Sequence, residues 1–287
     1  MFKRILIPVI REALSERAAK MGLDFARLLG AHVVFTYALT EKVPAELGHE
    51  IIRPWKERAA SFNVPSESRL ADGYTMNTGD AIAFEATSAD CDLIVMGTHA
   101  REGLNRLLMG SVSERVSRVA KVPVLLLRGE EGKPPGAMFK RILVPIDGSK
   151  SSTLALEKAK EIALKLEAQI HLVYVVPDAP LPIADSFGTY SAFDYPALSE
   201  SFETIGKEIL ARAAEMLKPL VPSVWLRHAH GQQIQNLILE TAEANQIDLI
   251  VLGTHGYGGL NLLLLGSVAQ AVSHHANVPV LLVRPVQ

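Results

Sequence analysis

The chain has 287 residues, of which 48% are hydrophobic and 21% are charged, and this length favours two domains. Its 29 Lys and Arg against 31 Asp and Glu leave a formal charge of −2, which gives no electrostatic footprint for nucleic acid. One cysteine, Cys91, excludes an internal disulfide framework and a cysteine-cluster zinc site.

The sequence contains neither a membrane-spanning apolar run nor a signal-peptide pattern at its start. We therefore expect a reduced, cytoplasmic protein whose partners include neither a membrane nor nucleic acid. Cys91 is expected to be a buried small hydrophobe rather than a reactive thiol.

The chain repeats itself. Met1–Pro8 (MFKRILIP) is matched by Met138–Pro145 (MFKRILVP), and Asp92–Arg128 is matched without a gap by Asp248–Arg284. Two copies of one unit therefore form the protein.

From this repeat we predict a first domain over residues 1–128 and a second domain over residues 138–287. Residues 129–137, which are charged and rich in Pro and Gly, are predicted to be the linker. The second copy is longer. We place the first part of its extra length in Pro177–Thr204 and the last four residues, about one turn, in a helix that opens at Gln232.

Within the second copy, short apolar runs alternate with helical patterns. Strands are predicted at Arg141–Ile146, Gln169–Val176, Ser223–Arg227, Asp248–Leu252 and Val278–Val283, and helices at Ser152–Leu166, Ser199–Leu217, Ile234–Asn245 and Gly266–Ala276. This alternation predicts an α/β fold in which each copy is a five-stranded parallel sheet with helices on both faces. In such sheets ligands bind beyond the carboxyl ends of the strands.

The first strand of the second copy ends in Pro145-Ile146-Asp147-Gly148-Ser149. An acidic residue followed by a small turn can accept hydrogen bonds from a ribose or from an adenine amine. The alternative is that Asp147 and Ser149 only begin the next helix, where Asp and Ser are favoured.

The fourth strand ends in Gly253-Thr254-His255-Gly256, and Gly266-Ser267-Val268 opens the next helix. Glycine allows a backbone to approach a ligand closely, and Ser267 is a candidate helix cap over an anion site. The two glycine turns are therefore expected to hold phosphates. A plain glycine-rich connection followed by an ordinary helix cap is the alternative.

With these motifs, the sequence resembles the universal stress protein family in its tandem two-domain (UspA-like) form, over the whole chain apart from the linker. The resemblance rests on the strand end Pro145–Ser149, on the spacing Gly253, Gly256, Gly266-Ser267, and on the closing strand Val278–Val283. It implies a Rossmann-like (adenine nucleotide alpha hydrolase-like) fold that binds ATP in the second domain.

The resemblance also implies which residues bind the cofactor, with adenosine near Asp147, Ile146 and Val175 and the phosphates at the glycines. The full set assigned as cofactor-binding is Pro145, Ile146, Asp147, Gly148, Ser149, Val175, Leu252, Gly253, His255, Gly256, Gly266, Ser267 and Val268. Because few acidic ligands are present, any Mg²⁺ is expected to be carried by the phosphates. We assign no catalytic residue and no metal ligand.

The first copy departs from this pattern. Ile10, Arg11 and Glu12 stand opposite Asp147, Gly148 and Ser149, and Ala100 stands opposite Gly256. Gly97, Gly110 and Ser111 are kept. We therefore predict a degenerate nucleotide pocket in the first domain, with an anion site at most.

A histidine pair and an insert in the second copy are not assigned to the nucleotide site. His228 and His230 are expected to point to opposite faces of a strand, which would not form a metal pair. The insert Pro177–Tyr195 is interpreted as a lid, as a plain surface loop or as a cover for an apolar partner.

The favoured function is a nucleotide-sensing stress protein. The alternatives are a slow ATPase or phosphotransferase, and a module that binds a lipid-like ligand or a protein. The apolar strands Val122–Leu127 and Val278–Val283 are expected at sheet edges, so we predict that they pair antiparallel and make the chain an internal pseudo-dimer. The sequence leaves open whether whole chains form a homodimer.

Overall fold

The computed structural model describes residues 1–40, 44–98, 110–127, 138–178, 195–255 and 265–285. In these ranges the chain forms ten strands and eight helices that alternate along the sequence. The predicted α/β class is therefore confirmed.

The first copy contains five strands and four helices within the described residues. They are β1 (Arg4–Pro8), α1 (Ala13–Leu29), β2 (His32–Ala38), α2 (Ala45–Ser61), β3 (Ser66–Ala71), α3 (Thr78–Ser88), β4 (Leu93–Gly97), α4 (Ser111–Val119) and β5 (Val124–Leu127). The central residues of β1 are fully buried, because helices cover both faces of the sheet.

The second copy repeats this order. Its elements are β6 (Arg141–Pro145), α5 (Lys150–Leu166), β7 (Gln169–Val176), α6 (Tyr195–Leu217), β8 (Ser223–His228), α7 (Ile234–Ala244), β9 (Leu249–Gly253), α8 (Ser267–His275) and β10 (Val280–Val283). Most predicted boundaries agree with these within two residues.

All ten strands form one sheet, in the order β3-β2-β1-β4-β5-β10-β9-β6-β7-β8. Within each copy the strands are parallel, and the order reverses beside the first strand, where β1 lies between β2 and β4 and β6 lies between β7 and β9. This reversal is the switch point at which ligands bind in open α/β sheets.

The two copies join through β5 and β10. These strands pair antiparallel, with Val280 opposite Leu126 and Leu282 opposite Val124, as predicted. Leu126 and Leu282 are each 1% exposed, so the apolar edges cover one another. The predicted internal pseudo-dimer is present, and it leaves β3 and β8 at the outer edges of the sheet.

Two hydrophobic cores lie on opposite faces of the sheet, and each contains residues from both copies. The α1 core lies under α1, α2, α5 and α6, and the α4 core lies under α3, α4, α7 and α8. In the α1 core, the ring of Phe139 packs edge-on against that of Phe25 of the other copy at 5.7 Å between centroids.

The extra length of the second copy differs from its prediction. Helices α3 and α7 both contain 11 residues, so no turn is added to the helix after Gln232. Helix α6 has 23 residues where α2 has 17, so part of the insertion lengthens α6. The prediction was wrong because it equated Gly231, which lies in a turn with φ +82°, with Gly79, which lies inside α3.

Two other expectations concern single features of the chain. Cys91 is buried, as predicted, and this burial raises the pKa of its thiol to about 12. Across the ranges described above, none of the helices is long and apolar enough to span a membrane. The linker and most of the insert lie outside the described residues.

The β5–β10 pairing predicts a strong effect of a charge at Leu126. Leu126→Glu places an unpaired carboxylate in the α4 core, so we expect the free energy of unfolding to fall by about 3 kcal/mol or more, with aggregation. Urea unfolding and light scattering measure both effects.

The control is Leu28→Glu, at a residue of α1 that is 44% exposed, where we expect a change within about 0.5 kcal/mol. Equal stability and equal monodispersity of the two variants would show that the strands do not pair as described.

Candidate functional site

The site residues meet at the carboxyl edge of the second copy, where β6 and β9 end and α5 and α8 begin. The Ser149 hydroxyl donates to the carbonyl O of His255 at 3.4 Å, and the His255 N–H donates to the hydroxyl of Ser151, also at 3.4 Å. The structure therefore brings the two sequence motifs into direct contact.

The turn after β6 also starts α5. Oδ1 of the half-buried Asp147 accepts a hydrogen bond from the Ser149 N–H at 2.9 Å, and Gly148 has a left-handed φ of +84°. The Ser149 hydroxyl then accepts from the Ser152 N–H at 3.1 Å and caps α5. The helix-start interpretation thus holds for Ser149, and one oxygen of Asp147 takes part in the same turn.

Apolar side chains also lie at the carboxyl edge of the sheet, near the end of β7 and at the starts of α7 and α8. Val175 of β7, Ile234 of α7 and Val268 of α8 all pack against the α4 core and keep part of their surface exposed. Ile146 is buried, and its N–H donates to the carbonyl O of Val173 at 2.9 Å, so this amide is used by the sheet. Ile234 was not among the predicted site residues, because its position depends on the packing of α7.

Glycine is required at the end of β9 because α5 approaches it closely. A Cβ at Gly253 would lie 2.6 Å from the carbonyl carbon of Ser151 and 2.8 Å from its oxygen. The preceding Leu252 is buried, and Pro145 at the end of β6 is half-buried. Gly253 therefore serves helix packing, which the sequence motif alone did not indicate.

The start of α8 differs from its prediction in one respect. Gly266, and not Ser267, occupies the N-cap position, and among the described residues no side chain caps the helix. Ser267 is the first residue of α8 and is exposed. The first N–H groups of a helix have no partner within it, and the dipole favours an anion there. The start of α8 therefore fits an anion. Gly256 lies outside the described residues.

His255 lies between the two helix starts. It is 9% exposed, and its Nδ1 lies 2.8 Å from the Thr254 hydroxyl. Its Nε2 is buried and has no hydrogen-bond partner among the described residues. A buried polar atom without a partner is costly, so this nitrogen fits a site that receives a polar ligand.

The corresponding edge of the first copy is built differently. Ile10 is 36% exposed, and its N–H donates to the Ser15 hydroxyl at 2.9 Å. Arg11 is exposed, and its guanidinium lies 3.7 Å from the Glu50 carboxylate. An isoleucine side chain offers no hydrogen-bond acceptor where the second copy has Asp147.

A cavity of about 330 Å³ lies at the end of β8 and is lined by both His228 and His230. Their rings stack with centroids 5.5 Å apart, so the prediction that they point to opposite faces was wrong. The prediction used the wrong period, since residues i and i+2 of a strand share a face. It also placed His230 on the strand, whereas β8 ends at His228 and His230 lies in a turn with φ +45°. Within the described ranges, no three His, Cys, Asp or Glu side chains are placed to hold a metal ion.

These features define a tandem Rossmann-like α/β protein with a candidate anion site at the strand ends of its second copy. The sequence model of the Universal stress protein family matches residues 1–128 and 138–284. The chain belongs to the universal stress protein family.

Relatives agree with this assignment, and a solved structure shares the fold. Universal stress protein MJ0531 of Methanocaldococcus jannaschii is 34% identical over 151 residues, covering 51% of this chain and 83% of that protein. Universal stress protein Rv2005c of Mycobacterium tuberculosis is 32% identical over 197 residues, covering 69% of this chain and 63% of that protein. A universal stress protein from Archaeoglobus fulgidus shares the fold, with a TM-score of 0.70 over 98% of each chain at 20% identity.

The packing of Gly253 predicts different costs for the same substitution in the two copies. Gly253→Ala forces the backbone of α5 to move, so we expect unfolding to become easier by about 2 kcal/mol. Gly97→Ala meets mainly the flexible side chain of Leu14, at 2.9 Å, so we expect about 1 kcal/mol or less. Denaturant unfolding of both variants measures the difference, and an equal or reversed order would contradict the packing described for β9 and α5.

Proposed function

We propose that the second domain binds an adenine nucleotide, ATP first of all, and that the protein acts as a nucleotide-dependent sensor or regulator in the stress response. The supporting observation is the convergence at one sheet edge of the Asp147–Ser149 turn, the Gly253–His255 loop and the start of α8. The cytoplasmic location predicted from the sequence is part of this proposal.

The phosphates are assigned to the start of α8. Its first N–H groups carry no side-chain cap, and the Gly266 N–H is already used by the carbonyl O of Thr254 at 2.8 Å. The donors that remain belong to Ser267 and the residues after it. Nε2 of His255, which has no hydrogen-bond partner in the described part of the chain, is a further group for a phosphate oxygen.

The adenosine is assigned to the ends of β6 and β7. Asp147 offers its carboxylate to the ribose or the adenine amine, since only Oδ1 takes part in the turn with Ser149. The exposed parts of Val175, Ile234 and Val268 offer apolar surface to a purine base. Mg²⁺ would be carried by the phosphates, because the described carboxylates form no metal cluster.

The first domain lacks the acceptor that Asp147 supplies, so we assign it a structural or partner-binding function.

The slow ATPase or phosphotransferase stays a second candidate. The contact of the Thr254 hydroxyl with His255 Nδ1 supports it, since an imidazole beside a hydroxyl is an acid–base arrangement. Both groups are buried, which favours binding over turnover.

Titration calorimetry tests the proposal. We expect the intact chain to bind one ATP, and Asp147→Ala to weaken binding about tenfold because a charged hydrogen-bond acceptor is lost. Gly266→Val should weaken it more, because a side chain then crowds the carbonyl O of Thr254, which lies 3.1 Å from the added Cβ.

The matched control is Ile10→Ala, at the position equivalent to Asp147 in the first copy, and it should leave ATP affinity unchanged. Two equal sites per chain, or equal effects of the two alanine variants, would defeat the assignment of the nucleotide to the second domain. Phosphate release measured on the same samples separates binding from hydrolysis.

A further inference from the structure

Arg284 follows the last strand and reaches across the domain interface. Its Nη1 donates to the carbonyl O of Arg118 at 2.8 Å, and its Nη2 donates to the carbonyl O of Ser117. Both carbonyls belong to the last turn of α4, in the first domain. Two diverging N–H donors of one guanidinium therefore hold the end of β10 on a helix of the other copy.

The partial negative charge at the C-terminal end of α4 balances the positive charge of this guanidinium. Burial lowers the pKa of Arg284, and no described carboxylate contributes to that shift. Free carbonyls and the dipole of a helix C-terminus stabilise a cation. The contact therefore pairs a half-buried cation with the helix end, and its loss leaves each with fewer partners.

Hydrogen bonds continue from β10 to the start of α8. The Thr254 N–H donates to the carbonyl O of Val283 at 2.9 Å, directly before Arg284. The Gly266 N–H donates in turn to the carbonyl O of Thr254 at 2.8 Å. Thr254 is thus held between the residue preceding Arg284 and the N-cap of α8.

Helices α4 and α8 also touch directly. The Gln270 side-chain amide lies 3.4 Å from the Glu114 carboxylate, so the same helix of the first domain contacts both α8 and Arg284. The turn at Asp147 joins these bonds through His255, which contacts Ser149 and Ser151 at 3.4 Å each. The half of the site assigned to phosphates is therefore connected to the first domain more directly than the turn at Asp147 is.

We propose that Arg284 is a positioning residue for the phosphate half of the nucleotide site. By holding the end of β10 on α4, it fixes the Gly253–His255 loop and the start of α8. The inference rests on the proposed nucleotide binding, and it gives the first domain a function at the site of the second.

The test compares two ligands on the intact chain. Arg284→Met removes both hydrogen bonds and keeps an apolar stem, so the Kd for ATP should rise about fivefold to tenfold. The Kd for adenosine, which lacks phosphates, should rise less than about twofold. Arg284→Lys keeps the charge without the paired donors and should lie between Arg284→Met and the wild type.

The control is Phe139→Leu, which weakens the domain interface on the opposite face of the sheet, where Phe139 packs on Phe25. It should leave the ratio of the two Kd values unchanged. The inference is wrong if Arg284→Met raises the Kd values for ATP and adenosine equally, or if it leaves the Kd for ATP unchanged. It is also wrong if Arg284→Met and Phe139→Leu change the ratio of the two Kd values to the same extent.

If Arg284→Met fails to fold, Arg284→Lys tests the inference in its place. A higher ratio of the Kd for ATP to the Kd for adenosine than in the wild type supports the inference, and an unchanged ratio overturns it. A wild-type chain that binds neither ligand contradicts the proposed function, and the inference with it. A wild-type chain that binds ATP while the Arg284 variants show no selectivity contradicts the inference alone.

Discussion

Antiparallel pairing of β5 with β10 is the interaction on which the rest of the structure depends. It joins two parallel sheets into one ten-stranded sheet and covers two apolar edges that would otherwise invite aggregation. Because both hydrophobic cores continue across this seam, each copy depends on the other for part of its burial. A tether between the copies raises their local concentration, which favours the pairing within one chain.

Duplication allows the two copies to diverge while the fold is kept. The second copy retains an acidic residue, Asp147, and an uncapped helix start at Gly266 at its switch point. The first copy has Ile10 at the matching position, and the Ile10 N–H is used locally by Ser15. One copy thus carries the groups that we assign to a nucleotide, while the other contributes the sheet edge and α4.

The sequence predicted what depends on local pattern and on repetition. Strand and helix positions, the burial of Cys91 and the β5–β10 pairing were all visible in apolar periodicity and in the match between copies. Features that depend on tertiary contact could not be predicted in this way. The contact of Ser151 with His255 and the hydrogen bonds of Arg284 to α4 depend on how the elements pack. The misplaced insertion shows the same limit, since Gly231 and Gly79 look alike in sequence and differ in backbone conformation.

Photoaffinity labelling of the intact chain with 8-azido-ATP, followed by peptide mapping, tests the central claim most directly. The account predicts labelling within residues 138–287 that excess ATP abolishes, with residues 1–128 unlabelled. Equal labelling of both copies, or labelling confined to the first, would contradict it.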